Sequence, residues 1–295
     1  MELTLTNLRK EFKDKTAVDD VSLTLTPGVW GLLGANGAGK TTLLGMIADI
    51  LKPTRGKILC DGKDIQGMGE AYRNLLGFLP QDFGFFQDFT VKDYLEYIAA
   101  LKGVPVRETR KKMDRLLDTL TLAQVKNKKI VKLSGGMKRR VGIAQAMLND
   151  PEILIMDEPT AGLDPGERVR FRNFISEFSH ERMVLISTHI VSDIEYISTQ
   201  NAIMKGGKIL DVGTTEDLVK EVAGKVWTCL VPAGEMPKYE RQLRIINQRS
   251  EGDNQVSIRY LAAEAKTRDS VMAPPRLEDL YLWLFPQEET REEEK

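Results

Sequence analysis

The stretch VWGLLGANGAGKTT at residues 29–42 decides the fold class of this chain. Its first five residues form a short, mainly apolar run after the Pro27-Gly28 turn, which is typical of a buried strand in a parallel sheet. After Thr42 the apolar residues recur at helical spacing, at Leu43, Leu44, Met46, Ile47 and Ile50. The glycines in between fit the pattern G-x-x-x-x-G-K-[ST] at every fixed position. The sequence therefore predicts a strand, a glycine-rich loop and a helix in direct succession, as in α/β proteins.

The glycine-rich loop has the chemistry of a phosphate cradle. Glycines let the backbone turn tightly with its N–H groups inward, and the helix N-terminus adds a partial positive charge. In this pattern Lys40 reaches the β- and γ-phosphates of a nucleotide, and the Thr41 hydroxyl is a ligand for Mg²⁺. The residues predicted to bind the nucleotide are Gly34, Asn36, Gly37, Ala38, Gly39, Lys40, Thr41 and Thr42.

A pair of carboxylates ends a second apolar run. The residues ILIM at 153–156 predict a buried strand, and Asp157 and Glu158 follow it directly. Asp157 suits the binding of Mg²⁺, directly or through its other ligands, and Glu158 suits the polarisation of a water that attacks a γ-phosphate. Because side chains alternate along a strand, the two carboxylates need not point the same way.

Six motifs in this order resemble the nucleotide-binding subunits of ABC (ATP-binding cassette) transporters, and the resemblance covers roughly residues 1–220. The motifs are Walker A at 34–42, the Q-loop at Gln81, the signature LSGGM at 133–137, Walker B with the catalytic glutamate at 153–158, the D-loop AGLD at 161–164 and the switch histidine His189.

The resemblance implies a fold and a catalytic apparatus. The fold is an α/β P-loop NTPase core with a mixed sheet, an antiparallel β subdomain and a helical subdomain inserted at about residues 90–150. The activity is hydrolysis of ATP, with ATP and Mg²⁺ as cofactors. Glu158, His189 and Gln81 are the expected catalytic residues: His189 would hydrogen-bond the γ-phosphate, and Gln81 would touch Mg²⁺ or the attacking water. Thr41, Gln81 and Asp157 are the residues expected at the metal.

The resemblance also implies a dimer. The helix after Ser134 offers free N–H groups to a second anion. In the family, the residues equivalent to Ser134, Gly135 and Gly136 cap the γ-phosphate of the ATP that is held by the P-loop of the other subunit. Two nucleotide-binding subunits, identical or different, would thus sandwich two ATP molecules. Asp164 is expected at their interface, where it connects the two sites.

Four features leave alternatives open or depart from the family pattern. Phe12 matches the aromatic position that stacks on adenine, although an aromatic in a short strand usually packs in the core. The aromatic cluster after Gln81 suits either the core of the helical subdomain or a groove that receives a membrane subunit; it consists of Phe83, Phe85, Phe86 and Phe89. Met137 stands where many members have Gln, and Ala161-Gly162 stand where Ser-Ala is frequent.

The composition is typical of a globular protein and does not indicate a polyanionic partner. The chain has 295 residues, 42% of them apolar and 29% charged, and its formal net charge is −1. This balance predicts no nucleic-acid partner. Cys60 and Cys229 are far apart in the sequence, so they indicate neither a disulfide framework nor a metal-binding motif. The start does not read as a signal peptide, and no segment approaches the roughly 20 apolar residues of a spanning helix. We therefore expect a separate transmembrane permease, which holds this subunit at the cytoplasmic face of the membrane.

The chain is expected to divide into three parts. These are an ABC nucleotide-binding domain at residues 1–224, a small α+β accessory domain at 225–285 and a charged tail at 286–295. Residues 1–30 predict short strands, and residues 54–65 predict a strand and a tight Asp61-Gly62 turn. The C-terminal part predicts strands at 226–231, 244–246 and 256–261 and a helix at 277–285. It resembles the extension of ATPases that pair with six-helix export permeases, and its role, stabilising or regulatory, stays open.

A soluble ABC ATPase that acts on ribosomes or nucleic acid is the alternative function. Ribosome-associated members usually carry two cassettes in one chain, and DNA-repair members have a long coiled coil between Walker A and the signature. This sequence has one cassette and no heptad run between Lys40 and Ser134. It therefore favours a transporter subunit, and among transporters an exporter.

Overall fold

The computed structural model describes residues 1–286, and residues 287–295, most of the predicted charged tail, lie outside the described part. Two compact units make up the chain, Met1–Val212 and the part from Gly213 onward. The division falls earlier than the predicted boundary after residue 224. The reason is that the turn Val219–Val222 packs against the last helix of the second unit, with Val222 fully buried. Within residues 1–286, no helix combines the length and the apolar character required to cross a membrane.

An antiparallel sheet forms the N-terminal part of the first unit. Its strands, in spatial order β2-β1-β4-β5, are β1 (Leu3–Phe12), β2 (Lys15–Leu25), β4 (Arg55–Cys60) and β5 (Lys63–Asp64). Residues 1–30 were predicted to form short strands, but β1 and β2 have 10 and 11 residues. The predicted turn at Asp61-Gly62 is present, and both residues have positive φ, 47° and 78°, as a tight hairpin requires.

A six-stranded sheet forms the centre of the first unit, in the order β10-β9-β3-β8-β7-β6. The strands are β3 (Gly28–Leu33), β6 (Leu76–Leu79), β7 (Ile153–Asp157), β8 (Met183–Thr188), β9 (Gln200–Lys205) and β10 (Lys208–Gly213). The pairs β9–β3, β3–β8, β8–β7 and β7–β6 are all parallel. Every residue of β7 and β8 is buried, because both faces of such a sheet are covered. The mixed α/β fold predicted from the sequence is therefore confirmed.

The helices of the first unit cover this sheet and form the insertion between β6 and β7. They are α1 (Lys40–Ile47), α2 (Ile65–Met68), α3 (Glu70–Asn74), α4 (Val91–Leu101), α5 (Val106–Thr119), α6 (Gly135–Met147) and α7 (Pro165–Phe178). Helix α4 begins at a capping box in which Thr90 and Asp93 satisfy each other's backbone N–H groups. Helix α6 packs along β6, which brings the start of α6 near the end of that strand.

Over residues 213–286 the second unit contains a small sheet of order β12-β13-β11-β14 and three short helices. Its elements are α8 (Thr215–Leu218), β11 (Val226–Pro232), α9 (Met236–Gln242), β12 (Arg244–Gly252), β13 (Gln255–Leu261), β14 (Val271–Met272) and α10 (Leu277–Leu284). The sequence underestimated β12, whose outer half is polar and exposed, and it missed α9, which has no buried residue. A buried ion pair between Arg259 and Asp279, at 2.6 Å, ties β13 to α10.

Candidate nucleotide-binding site

The glycine-rich loop lies between β3 and α1, and its conformation depends on two glycines with close backbone neighbours. Gly39 has a φ of 107°, and a Cβ at this position would lie 2.2 Å from the carbonyl oxygen of Ala17. A Cβ on Gly34 would lie 2.4 Å from the carbonyl oxygen of Met204. No side chain caps the first turn of α1, and no acidic residue lies in it. Its N–H groups are therefore available to an anion, as predicted for this loop.

Lys40 lies at the start of α1 and is buried. Its ammonium group donates to the carbonyl oxygens of Gly34 at 2.7 Å and Ala35 at 3.1 Å, so it crosses the mouth of the loop. Burial lowers the pKa of Lys40, and the carboxylates of Glu158 and Asp157 act in the opposite direction. A phosphate placed in the loop would supply the negative charge that this buried ammonium group lacks in its hydrogen bonds.

Asp157 ends β7 and is almost completely buried. Its Oδ1 accepts a hydrogen bond from the hydroxyl of Ser187 on the neighbouring strand β8. Its Oδ2 is buried without a hydrogen-bond partner. A buried carboxylate oxygen without a partner is costly, so this atom suits a cation or a water that a nucleotide complex would bring.

Glu158 follows Asp157 in a left-handed backbone conformation, with a φ of 51°. Its backbone N–H donates to the carbonyl oxygen of Ser187 at 3.1 Å. Its Oε1 lies 2.9 Å from Nδ1 of His189, and its Oε2 is buried without a partner. The structure thus brings Glu158 and His189 into direct contact, which the sequence did not predict.

The cleft at this edge of the sheet collects residues from β2, the loop and the ends of β6 and β7. It is lined by Lys15, Ala17, Asn36, Gly37, Ala38, Gly39, Lys40, Thr41, Thr42, Gln81, Asp157 and Glu158. Gln81 enters it because β6 is parallel to β7 and ends at the same edge. The carboxyl ends of parallel strands are where such folds bind ligands. Lys15 and Ala17 are additions that the sequence did not indicate.

Several predicted residues lie outside this cleft. Gly135 lines a separate cleft beside Gln81, and Ser134 caps α6 by accepting the Met137 backbone N–H at 3.2 Å. Gly136 packs near the D-loop, where a Cβ would lie 3.1 Å from the carbonyl oxygen of Gly162. Asp164 caps α7 by accepting the Glu167 N–H at 2.7 Å, and it is exposed. These residues do not meet the P-loop cleft of their own chain.

Phe12 is at the end of β1 and 49% exposed, with the ammonium group of Lys10 5.3 Å from its ring centroid. The core-packing alternative for Phe12 is therefore wrong, and stacking on adenine stays a prediction. The aromatic cluster after Gln81 is mixed: Phe83, Phe85 and Phe89 are half-buried and Phe86 is exposed, so both alternatives for the cluster stay predictions. Phe86 is half exposed and packs with Phe89 and Tyr97 at ring-centroid distances of 4.8 and 5.4 Å.

Arg139 is the main site residue that sequence reasoning missed. It lies in α6, is 6% exposed, and donates hydrogen bonds to the backbone carbonyls of residues next to the Q-loop and Walker B. Burial lowers its pKa, and the charges of Asp157, Glu158 and Asp82 act in the opposite direction. The one signal in the sequence was its position in a helix whose following residues, 141–144, are apolar or glycine.

The residues present fit a bound magnesium nucleotide. Asp157 Oδ2 and Glu158 Oε2 are buried acceptors without partners, and the glycine loop packs against the backbone of Ala17 and Met204 too closely to admit a Cβ at Gly39 or Gly34. Among the described residues no group of three or more His, Cys, Asp or Glu side chains could hold a metal on its own.

Comparisons with known proteins point in the same direction. The sequence model described as "ABC transporter" matches residues 18–161. An uncharacterised ABC transporter ATP-binding protein of Bacillus subtilis, YxlF, is 36% identical over 230 residues, 78% of this chain and 76% of that protein. The Nod factor export ATP-binding protein I of Rhizobium etli is 30% identical over 293 residues, 96% of this chain and 92% of that protein. The dimeric structure of a bacterial ABC transporter cassette superposes with a TM-score of 0.67 at 25% identity, covering 72% of this chain and 98% of that one.

Proposed function

The chain belongs to the family of ABC transporter ATP-binding proteins and is an ATP-binding ATPase, and from this premise we propose that it drives a membrane exporter. One observation carries the proposal. A phosphate loop, two buried carboxylates and a histidine converge at one edge of the sheet, whereas the signature motif lies outside that cleft. This arrangement supports two nucleotide-binding subunits, each of which completes the other's site.

The residues of the cleft have distinct roles in this proposal. The N–H groups of the loop and the Lys40 ammonium group bind the phosphates and hold them against the start of α1. Glu158 accepts the proton of the water that attacks the γ-phosphate, as the P–O bond to the β-phosphate breaks. His189 holds Oε1 of Glu158, which leaves Oε2 to face the water. Thr41, Gln81 and Asp157 would hold Mg²⁺, which neutralises charge on the phosphates when it is bound.

The signature motif acts in trans in this proposal. Ser134 begins α6, which has 13 residues and no acidic side chain in its first turn. Its N-terminus therefore favours a phosphate, and none of its first residues lines the chain's own P-loop cleft. A second subunit, identical or different, would bring its ATP to this helix. The dimeric cassette among the solved relatives supports this arrangement.

A separate permease and the direction of export complete the proposal. The relative from Rhizobium etli, which aligns over 96% of this chain, is named for export, and this supports an export role. The subunit would work at the cytoplasmic face of the membrane, attached through the permease. Affinity purification of the full chain from detergent-solubilised membranes should recover a transmembrane permease. Recovery of ribosomes or DNA without a permease would contradict the transport role.

The catalytic assignment is tested by Glu158→Gln. The variant should bind ATP and form the nucleotide-stabilised dimer but turn over at a rate lower by about 10²–10⁴-fold, because an amide cannot accept the proton. Glu152→Gln is the matched control, since Glu152 is an exposed glutamate at the opposite end of the same strand. ATPase activity near the wild-type rate in Glu158→Gln would remove Glu158 from this role.

The trans assignment is tested by Ser134→Arg. This variant should lose hydrolysis as a homodimer, because the bulky cation blocks the start of α6, while its monomer still binds ATP. Loss of ATP binding by the monomer would show that Ser134 serves its own P-loop instead.

A further inference from the structure

The guanidinium group of Arg139 donates hydrogen bonds to four backbone carbonyl groups in two separate segments of the chain. Nη1 donates to the carbonyl oxygens of Pro80 at 3.0 Å and Gln81 at 2.6 Å. Nη2 donates to the carbonyl oxygens of Glu158 at 2.7 Å and Asp157. All four bonds go to backbone carbonyl oxygens, and among residues 1–286 Arg139 forms no ion pair that would explain its burial. Its bonds fix the backbone beside two functional residues.

These carbonyls belong to the segments that carry the hydrolytic side chains. Residues 80–81 follow β6, residues 157–158 close β7, and the two strands are parallel neighbours. The Glu158 peptide is in a left-handed conformation, which a non-glycine residue adopts only when its surroundings hold it. The bonds from Arg139 supply such a restraint on the carbonyl side, opposite the Glu158 N–H that bonds to Ser187.

We propose that Arg139 is a positioning residue, which sets the relative placement of Gln81 and Glu158 for hydrolysis at the P-loop of its own chain. It touches neither nucleotide nor water itself. The proposal rests on the roles given above to Gln81 and Glu158. Helix α6 then has two roles. Ser134 at its start would bind the ATP of the partner subunit, while Arg139, less than two turns later, acts on the chain's own site.

Other contacts of α6 distinguish Arg139 from its neighbour. Gln145 Nε2 donates to the carbonyl oxygen of Phe78 at 3.0 Å, which anchors a later turn of α6 to β6. Arg140, also buried, points elsewhere: its Nη1 donates to the carbonyl oxygen of Leu120 at 2.8 Å, and its Nη2 pairs with Glu167 at 2.6 Å. Arg140 therefore offers a matched control for the loss of a buried guanidinium group.

The first experiment compares turnover and binding in Arg139→Gln, Arg139→Lys and Arg140→Gln in the full-length chain. Arg139→Gln should lower kcat by about 100-fold, as expected when a reacting group is displaced by about 1 Å, and should leave the ATP Kd of the monomer unchanged within error. Arg139→Lys should recover part of kcat, because an ammonium group has three donors for the four carbonyls. Arg140→Gln should lower the Tm by a similar amount but reduce kcat far less.

Three outcomes would overturn the proposal. They are a normal kcat in Arg139→Gln, a loss of ATP binding as large as the loss of kcat, and equal losses of kcat in Arg139→Gln and Arg140→Gln. Equal losses of kcat would mean that a buried guanidinium group in α6 affects turnover only by stabilising the fold.

The second experiment asks which of the two sites Arg139 serves. Differently tagged chains are co-purified as mixed dimers in which one chain carries Ser134→Arg, so that the remaining active site uses the P-loop of that same chain. Arg139→Gln on this chain should abolish most of the remaining activity, and on the other chain it should have little effect. The reverse pattern would overturn the proposal. Full activity of the Ser134→Arg homodimer would instead refute the trans arrangement, while the kcat result for Arg139 homodimers would stand by itself.

Discussion

Replacement of Gly39 by alanine adds only one methyl group but should weaken the binding of ATP by the phosphate loop. Gly39 has a φ of 107°, and the added Cβ would lie 2.2 Å from the carbonyl oxygen of Ala17 and 2.8 Å from Cε of Met204. The methionine can move, but Ala17 is in strand β2, so the loop must retreat by about 1 Å to restore van der Waals contact. The left-handed conformation adds about 1–2 kcal/mol of strain for a residue with a Cβ.

The effect on binding follows from the bonds that the loop makes to phosphate. A shift of this size breaks one or two charge-assisted hydrogen bonds, each worth about 1.5–3 kcal/mol. We therefore expect the Kd for ATP, measured by isothermal titration calorimetry with Mg²⁺ present, to rise by at least about tenfold, the equivalent of about 1.4 kcal/mol.

Two control variants separate strain from steric overlap. Gly37→Ala is in the same loop at a φ of 77°, but the nearest atom to its Cβ is Nζ of Lys15 at 4.0 Å. Gly62→Ala has a φ of 78° and no neighbour within 4 Å, and it lies outside the loop. Gly37→Ala should weaken ATP binding only slightly, and Gly62→Ala should lower the Tm without a change in Kd. ATP binding by Gly39→Ala at wild-type strength, or an equal loss in Gly37→Ala, would refute the steric reasoning.

Three further predictions concern stability. Tyr72→Phe removes a buried hydroxyl that donates to the carbonyl oxygen of Ile47 at 2.7 Å, and urea unfolding should show a loss of about 1–3 kcal/mol; an unchanged midpoint would contradict this. Burial lowers the pKa of Lys102 to about 8, so between pH 8 and 10.5 the unfolded chain binds more protons than the folded chain. The free energy of unfolding should therefore rise over this range, by up to about 3 kcal/mol. Lys102→Met should abolish this rise, and its persistence in the variant would contradict the assignment. Asp279→Asn leaves the Arg259 guanidinium group without its buried partner and should cost about 3–5 kcal/mol in the unfolding of the second unit, whereas a loss below 1 kcal/mol would show that the pair is solvated.

The local features of the site could be read from the sequence because each depends on a short range of residues. The phosphate loop needs only the order of glycines, lysine and threonine between an apolar strand and a helix. The buried strand β7 reads as a continuous apolar run that ends in two carboxylates. The resemblance to ABC ATPases added Gln81 and His189, whose residue types alone carry no signal.

The features that the sequence did not predict depend on contacts between residues far apart in the chain, or lie in segments without an apolar pattern. The division after Val212 depends on contacts with α10, and helix α9 has no buried residue to produce an apolar period. The exposure of Phe12 depends on where β1 ends relative to the core. A hydrophobic pattern indicates which face of an element is buried, but it does not indicate the element against which that face packs.

The sequence by itself determined the chemistry of this protein: a P-loop, a pair of carboxylates after a buried strand and the LSGGM signature motif at residues 133–137. Only the tertiary structure decided how those parts are held, through the pairing of Glu158 with His189 and the bonds of Arg139 to four carbonyls. The physical reason is that every residue has a carbonyl oxygen. No sequence pattern marks the ones that a buried guanidinium group, 58 residues from Gln81, will meet when the chain folds.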